Sequence, residues 1–192
     1  MTFKTITTAD KETYPFAEQL FIEAFPANER RDLPQQRFNV DHEPRFSCNL
    51  LIQEDKAIGI LTLWDLGYFL YIEHFAISPS ERNKGYGHQA LDLLKRQSNL
   101  VKKPIVLEVE RPTDSTAIRR IQFYERSGFT LDGHDYIQPP YREGDEPFPM
   151  RIMTYGRNEE ALSYEYIAMT IHKEIYGQRQ DMSSLHPIED HL

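Results

Sequence analysis

The stretch Phe75–His88, with the sequence FAISPSERNKGYGH, determines how the rest of this chain is interpreted. It is typical of the end of a buried strand, followed by a short turn and a glycine-bearing loop that opens a helix. Gly85 and Gly87 carry no Cβ, so the backbone can approach a ligand closely at both positions. The segment therefore predicts a place where main chain contacts a bound molecule.

The helix after this loop is predicted from Gln89 to about Arg96. Its first N–H groups have no partner within the helix and point towards the loop, which makes an anion site. Arg82, Lys84 and His88 add side-chain donors to it. A phosphate-bearing ligand is the occupant that this pattern predicts.

The composition excludes several classes of protein. The 192 residues carry a net charge of −8, which argues against nucleic acid as a partner. The acidic surface either steers a cationic substrate or only confers solubility. No apolar run approaches the roughly 18 residues that a membrane span needs, and Met1–Lys4 does not begin a signal peptide. Cys48 is the only cysteine, which excludes an intrachain disulfide and a multi-cysteine metal site. We expect a cytoplasmic protein without a metal or membrane partner.

Hydrophobic periodicity predicts strands alternating with helices. The segment Ala27–Pro44 is charged and proline-bearing, and we expect a surface loop or a short second helix there. Strands are predicted over Phe3–Thr7, Phe46–Gln53, Ala57–Leu66, Tyr68–Ile77, Pro104–Glu110, Phe129–Ile137 and Phe148–Tyr155, and further helices over Lys11–Phe25, Ser115–Ser127 and Glu159–Tyr176.

We expect a main domain over residues 1–156, with a C-terminal helix and a polar, mobile tail over residues 157–192. The apolar stripe of the last helix indicates packing onto the main domain, with a homodimer contact as the alternative.

Two motifs occur in order, separated by one strand. The first is Arg82-x-x-Gly85-x-Gly87, and the second is Tyr124-x-x-x-Gly128-Phe129. Together they resemble the GNAT superfamily of acyl-CoA-dependent N-acyltransferases over roughly Phe3 to Tyr155. The resemblance implies an α/β fold with a mixed, largely antiparallel central sheet flanked by helices on both faces. A dinucleotide fingerprint is set aside, because its third glycine position is Ala90.

The resemblance also implies acetyl-CoA as the acyl donor. The backbone of Phe75, Ala76 and Ile77 would hold the pantetheine arm like a neighbouring strand. The segment that would hold the pyrophosphate consists of Arg82, Asn83, Lys84, Gly85, Tyr86, Gly87 and His88.

Amide formation needs two proton movements. The attacking amine must lose a proton, and the departing thiolate benefits from an acid. Tyr124 occupies the family's general-acid position, with a core tyrosine as the alternative. Glu73 is the candidate base, directly or through water, since a carboxylate in an apolar strand is expected to have a raised pKa. A structural carboxylate is the alternative for Glu73. Alternation places it opposite His74, which we interpret as structural.

One position departs from the family pattern. Relatives often carry Asn two helical turns before the tyrosine, where this chain has Ala117. Thr113, Asp114 or Ser115 would have to supply a replacement contact.

The leading hypothesis is an N-acetyltransferase acting by direct transfer to a small-molecule or peptide amine, which the sequence does not identify. The alternative is a non-catalytic acyl-CoA-binding regulatory module, in which the loop persists and the acceptor site is blocked.

Overall fold

The computed structural model describes residues 1–178, which form two compact units divided between Lys103 and Pro104. The predicted tail lies mostly outside the described residues. The strands are β1 (Thr2–Ile6), β2 (Phe46–Gln53), β3 (Lys56–Asp65), β4 (Leu70–Ile77), β5 (Ile105–Glu110), β6 (Thr130–Leu131), β7 (Tyr136–Gln138) and β8 (Phe148–Tyr155). The α-helices are α1 (Tyr14–Ala24), α2 (Leu33–His42), α3 (Tyr86–Leu100), α4 (Ser115–Arg126) and α5 (Tyr164–Glu174).

In the first unit, β1, β2, β3 and β4 pair in that order, each antiparallel to the next. Helix α1 buries Ala17, Leu20 and Phe21 on one side, at helical spacing. The 27–44 segment contains α2, which was one of the two alternatives. Asp32 caps this helix by accepting a 2.8 Å hydrogen bond from the N–H of Gln35.

In the second unit, β8 pairs antiparallel with β5, β6 and β7. The predicted strand Phe129–Ile137 is wrong in one respect, because it is divided into β6 and β7. Asp132 causes the break: its carboxylate accepts a 2.9 Å hydrogen bond from the N–H of His134 and holds a turn. The last helix is shorter than predicted, since Ser163 caps it and sets its start at Tyr164.

Helix α4 has the ends that the sequence predicted. Asp114 Oδ1 accepts from the N–H groups of Thr116 and Ala117, at 2.6 and 3.0 Å. Gly128 follows the helix with a φ of 86°, the left-handed conformation typical of a helix C-terminus. Both signals are local in sequence, which is why they were readable without the fold.

Candidate functional site

The loop after β4 is built from left-handed residues and a helix start. A 3₁₀ turn over Pro79–Glu81 follows the strand, and Asn83 and Gly85 have φ values of 63° and 78°. Helix α3 begins at Tyr86, three residues before the predicted Gln89, so Tyr86, Gly87 and His88 form its first turn. No side chain caps the helix at Gly85. The N–H groups of a helix that continues to Leu100 are thus presented at this loop, as an anion site requires.

The space beside Gly85 is open, since a Cβ built there meets no atom within 4 Å. This is the room that a phosphate needs to approach the main chain. The residues of the loop therefore fit a pyrophosphate in shape and in the donors they present.

Lys84 of the loop is held, together with Lys56, by a carboxylate that the sequence did not single out. Glu81 is 8% exposed and accepts from Lys56 Nζ at 2.6 Å and Lys84 Nζ at 2.8 Å. The hydrogen bond from Lys56, and then that from Lys84, lowers the pKa of Glu81. Arg82 Nε donates to the carbonyl of Ile77 at 3.1 Å. Lys56 is the first residue of β3, far from the loop in sequence, so no sequence signal connected the two.

Phe75, Ala76 and Ile77 lie at the end of β4, opposite Leu61, Ile60 and Gly59 of β3. Gly59 is a second residue that the sequence analysis missed. A Cβ at Gly59 would lie 2.6 Å from the carbonyl oxygen of Ala76. A glycine within a strand is a signal for such close approach, although it does not say which strand approaches.

Glu73 lies at a bulge in β4. His74 pairs with Thr62 and Ile72 pairs with the adjacent Leu63, so Glu73 is the extra residue between them. The extra residue interrupts the two-residue alternation of the strand. Consequently the prediction that Glu73 and His74 face opposite sides is wrong: Glu73 Oε2 lies 3.9 Å from His74 Nδ1.

The Glu73 carboxylate has charged and polar partners within the first unit. Its Oε1 accepts a short hydrogen bond from Arg31 Nη1, and its Oε2 accepts from the indole Nε1 of Trp64 at 2.7 Å. The Arg31 guanidinium also lies over the Trp64 ring, 5.3 Å from its centroid. The apolar surroundings expected from the strand sequence are therefore replaced by an ion pair and an indole donor, both of which favour the charged carboxylate.

His74 is buried, at 2% exposure, with its ring edge-on to Phe21 and Phe25. Burial lowers the pKa of His74 and keeps the imidazole neutral. Nε2 lies 3.3 Å from the carbonyl oxygen of Glu29, so it carries the proton. Nδ1 then accepts from the Thr62 hydroxyl at 3.3 Å. These contacts support the structural interpretation of His74.

Tyr124 lies in the second unit, on the buried side of α4, and is 8% exposed. Burial raises the pKa of Tyr124 to about 12. The phenol is protonated at neutral pH, as a hydrogen donor must be. Ala117, where relatives often carry Asn, is buried two turns before Tyr124. The Asp114 carboxylate caps the same helix.

Two further features limit the chemistry. No group of His, Cys, Asp and Glu residues within residues 1–178 could hold a metal ion. Burial raises the pKa of the Cys48 thiol to about 12, which fits a structural residue.

None of the helices in the described part of the chain is long and apolar enough to cross a membrane.

Residues 11–129 match the acetyltransferase (GNAT) family model, and the chain therefore belongs to the GNAT acetyltransferase family. The resemblance seen in the sequence and the predicted GNAT-like α/β fold are both confirmed. Among curated proteins, no match is found for the chain.

One solved structure agrees with this family, and two more distant ones share the fold. A structure assigned to the GNAT acetyltransferase family from Bacteroides thetaiotaomicron is 44% identical, with a TM-score of 0.86, and the match covers 93% of this chain and 100% of that one. A GNAT acetyltransferase from Elizabethkingia anophelis with acetyl-CoA bound is 16% identical, with a TM-score of 0.56 and coverage of 80% and 96%. A chimera of Vibrio cholerae spermidine N-acetyltransferase SpeG and hSSAT is 16% identical, with a TM-score of 0.61 and coverage of 87% and 99%.

Proposed function

We propose that this protein is an acetyl-CoA-dependent N-acetyltransferase that moves the acetyl group directly to a primary amine. The observation that carries the proposal is the left-handed Gly85, which opens α3 beside open space in the loop that follows β4. An uncapped helix start of this kind binds phosphates, and acetyl-CoA carries a pyrophosphate. The family membership and the acetyl-CoA complex of the Elizabethkingia relative support the choice of donor.

In this proposal the donor is held by main chain at two places. The backbone of Phe75, Ala76 and Ile77 pairs with the pantetheine arm, and residues 82–88 hold the pyrophosphate. Glu81 keeps Lys56 and Lys84 beside this loop, where their ammonium groups add positive charge.

The reaction forms one bond and breaks one. The neutral amine nitrogen attacks the thioester carbonyl carbon, and the carbon–sulfur bond then breaks. Tyr124 donates its phenolic proton to the departing thiolate. The nitrogen releases one proton to a base. In the first of the two roles that the sequence left open for Glu73, this base is the Glu73 carboxylate, acting directly or through water. In the second role Glu73 is structural and water accepts the proton.

The test is a thiol-release assay with acetyl-CoA against monoamines, polyamines, amino acids and peptides. Release that depends on one class of amine supports the proposal and identifies the acceptor. The alternative function is a non-catalytic regulatory module that binds acyl-CoA. The observation in its favour is the burial of the Glu73 carboxylate against Arg31. Acetyl-CoA binding without release for any amine would replace the transferase proposal by that module. Failure to bind acetyl-CoA would overturn both.

A further inference from the structure

The exposed part of Glu73 is its main chain. The residue as a whole is half-buried, yet its side chain is 0% exposed. The carboxylate therefore has no surface available to a substrate, whereas the backbone at the bulge has. This separation suggests that the side chain serves to place the main chain of β4.

The carboxylate is enclosed by groups from three parts of the first unit. Arg31, which is 7% exposed, comes from the segment between α1 and α2, and Trp64 comes from β3. The third group is His74 of β4 itself, with its neutral imidazole 3.9 Å away. An amine proton could reach the carboxylate only if the Arg31 ion pair opened, and separating a buried charge pair has a large energetic cost.

The same contacts connect two elements that the proposed reaction uses. The ion pair ties the 25–32 segment to the bulge, next to the part of β4 that would hold the donor. Arg30 reinforces this segment, because its Nε donates to the carbonyl of Phe25 at 3.0 Å and its guanidinium lies over Phe21. The start of the 27–44 segment, for which the sequence predicted a surface loop or a short second helix, is thus anchored through Arg31.

We propose that Glu73 is a positioning residue, which fixes the β4 bulge through its ion pair with Arg31 and its hydrogen bond from Trp64, and that the amine proton goes to an acceptor other than this carboxylate. The proposal rests on the proposed acetyltransferase function. It assigns Arg31, which no motif marks, to the same structural role.

A mutant cycle tests it with Glu73→Gln, Arg31→Met and the double variant. Gln keeps the size of the side chain and can still accept from Trp64, and Met fills the volume of the Arg31 stem. Arg31→Met alone leaves a buried carboxylate without its cation, so we expect a lower Tm and slower turnover. The double variant removes both charges together, and it should regain most of the Tm and a kcat within about tenfold of the wild type, less than the loss of a general base would cause.

The opposite result identifies a base. A well-folded double variant whose kcat remains at least about 100-fold below wild type, and whose rate recovers as pH rises from about 6 to 9 while the amine deprotonates unaided, would overturn the positioning role. A flat ratio of mutant to wild-type rate across that range supports it. If Arg31→Met does not fold, Arg31→Gln, which also removes the charge, replaces it in the cycle.

The ion pair of Glu18 and Arg37, which is more exposed than that of Glu73 and Arg31, provides the control. Arg37 donates to both Glu18 carboxylate oxygens at 2.7 Å, and its side chain is 50% exposed. The cycle of Glu18→Gln and Arg37→Met should show little coupling in Tm. Coupling in Tm between Arg31 and Glu73 that is no larger than this would also overturn the proposal. Because Tm is measured without any amine, this outcome is distinct from a failure of the transferase function, which the acetyl-CoA binding and thiol-release assays report.

Discussion

Gly59 of β3 lies so close to Ala76 of β4 that a Cβ on the glycine would be 2.6 Å from the Ala76 carbonyl oxygen. The same Cβ would lie 2.8 Å from Leu51 Cδ1 and 3.1 Å from Ile77 Cδ1. The two strands therefore meet at this point only because position 59 has no side chain. Ala76 and Ile77 belong to the proposed donor-binding strand, so the packing of Gly59 concerns function as well as stability.

Gly59→Ala should destabilise the fold and weaken acetyl-CoA binding, because the backbone of β4 must move away. Overpacking of a core typically costs about 1–3 kcal/mol. Urea unfolding and an acetyl-CoA titration measure the two effects. Gly133→Ala is the control, since its φ is not in the left-handed range and its Cβ meets no atom within 4 Å. Equal stability of the two variants would show that β4 yields without cost.

Gly85→Ala should lose most of the Tm increase caused by acetyl-CoA, because a methyl group then occupies the open space beside the loop. Gly67→Ala separates this effect from backbone strain. Both glycines have a positive φ, 78° and 83°, and neither Cβ meets an atom within 4 Å. Each variant should lose about 1–2 kcal/mol of stability to the left-handed conformation. Only the Gly85 variant should bind acetyl-CoA about tenfold or more weakly, and an unchanged affinity would remove the loop from the donor site. Gly87→Val should also abolish the Tm increase caused by acetyl-CoA, because its side chain would fill the space through which the ligand approaches the backbone.

Tyr124→Phe should leave acetyl-CoA affinity nearly intact and lower kcat by about 10²–10⁴-fold, the range expected when a general acid is lost. The pKa of Tyr124, raised to about 12, keeps the phenol protonated in the wild type up to high pH. Single-turnover kinetics and calorimetric titration separate the two effects. Tyr164→Phe is the control, since its hydroxyl donates to the Asp135 carbonyl at 2.8 Å and has no proposed catalytic role. Normal turnover with a lower Tm would make Tyr124 a core residue.

His74→Gln should change how stability depends on pH. Burial lowers the pKa of His74 below its ordinary 6.5, so the unfolded state binds its proton more readily than the folded state. The stability that the neutral imidazole contributes is present above about pH 6.5 and is lost as pH falls from there towards the folded-state pKa. Gln keeps a donor for the Glu29 carbonyl but does not titrate. The difference between the wild-type and mutant unfolding free energies should therefore shrink on acidification from pH 7 to 5. A constant difference would show that the pKa of His74 is the same in the folded and unfolded states, contrary to the lowering expected from burial.

Local signals were sufficient for much of this chain. Asp114 and Gly128 set the ends of α4, and the glycines after β4 marked the loop that we propose binds phosphate, because capping and left-handed turns depend on neighbouring residues alone. Periodicity failed where polar residues are buried. Helix α2 buries Gln36 and Asn39, so its sequence has no apolar stripe to reveal it.

The sequence by itself determined the family, the strand–loop–helix that presents Gly85, and the candidate roles of Glu73 and Tyr124. The tertiary structure alone decided what surrounds them: the bulge that turns Glu73 towards His74, the pairing of Glu73 with Arg31 42 positions away, and the closeness of Lys56 to Glu81. Strand alternation is a rule about one strand, whereas a bulge arises from the register between two strands. Ion pairs are likewise set by distances in space. When the two residues are far apart in the sequence, no local pattern indicates that they meet.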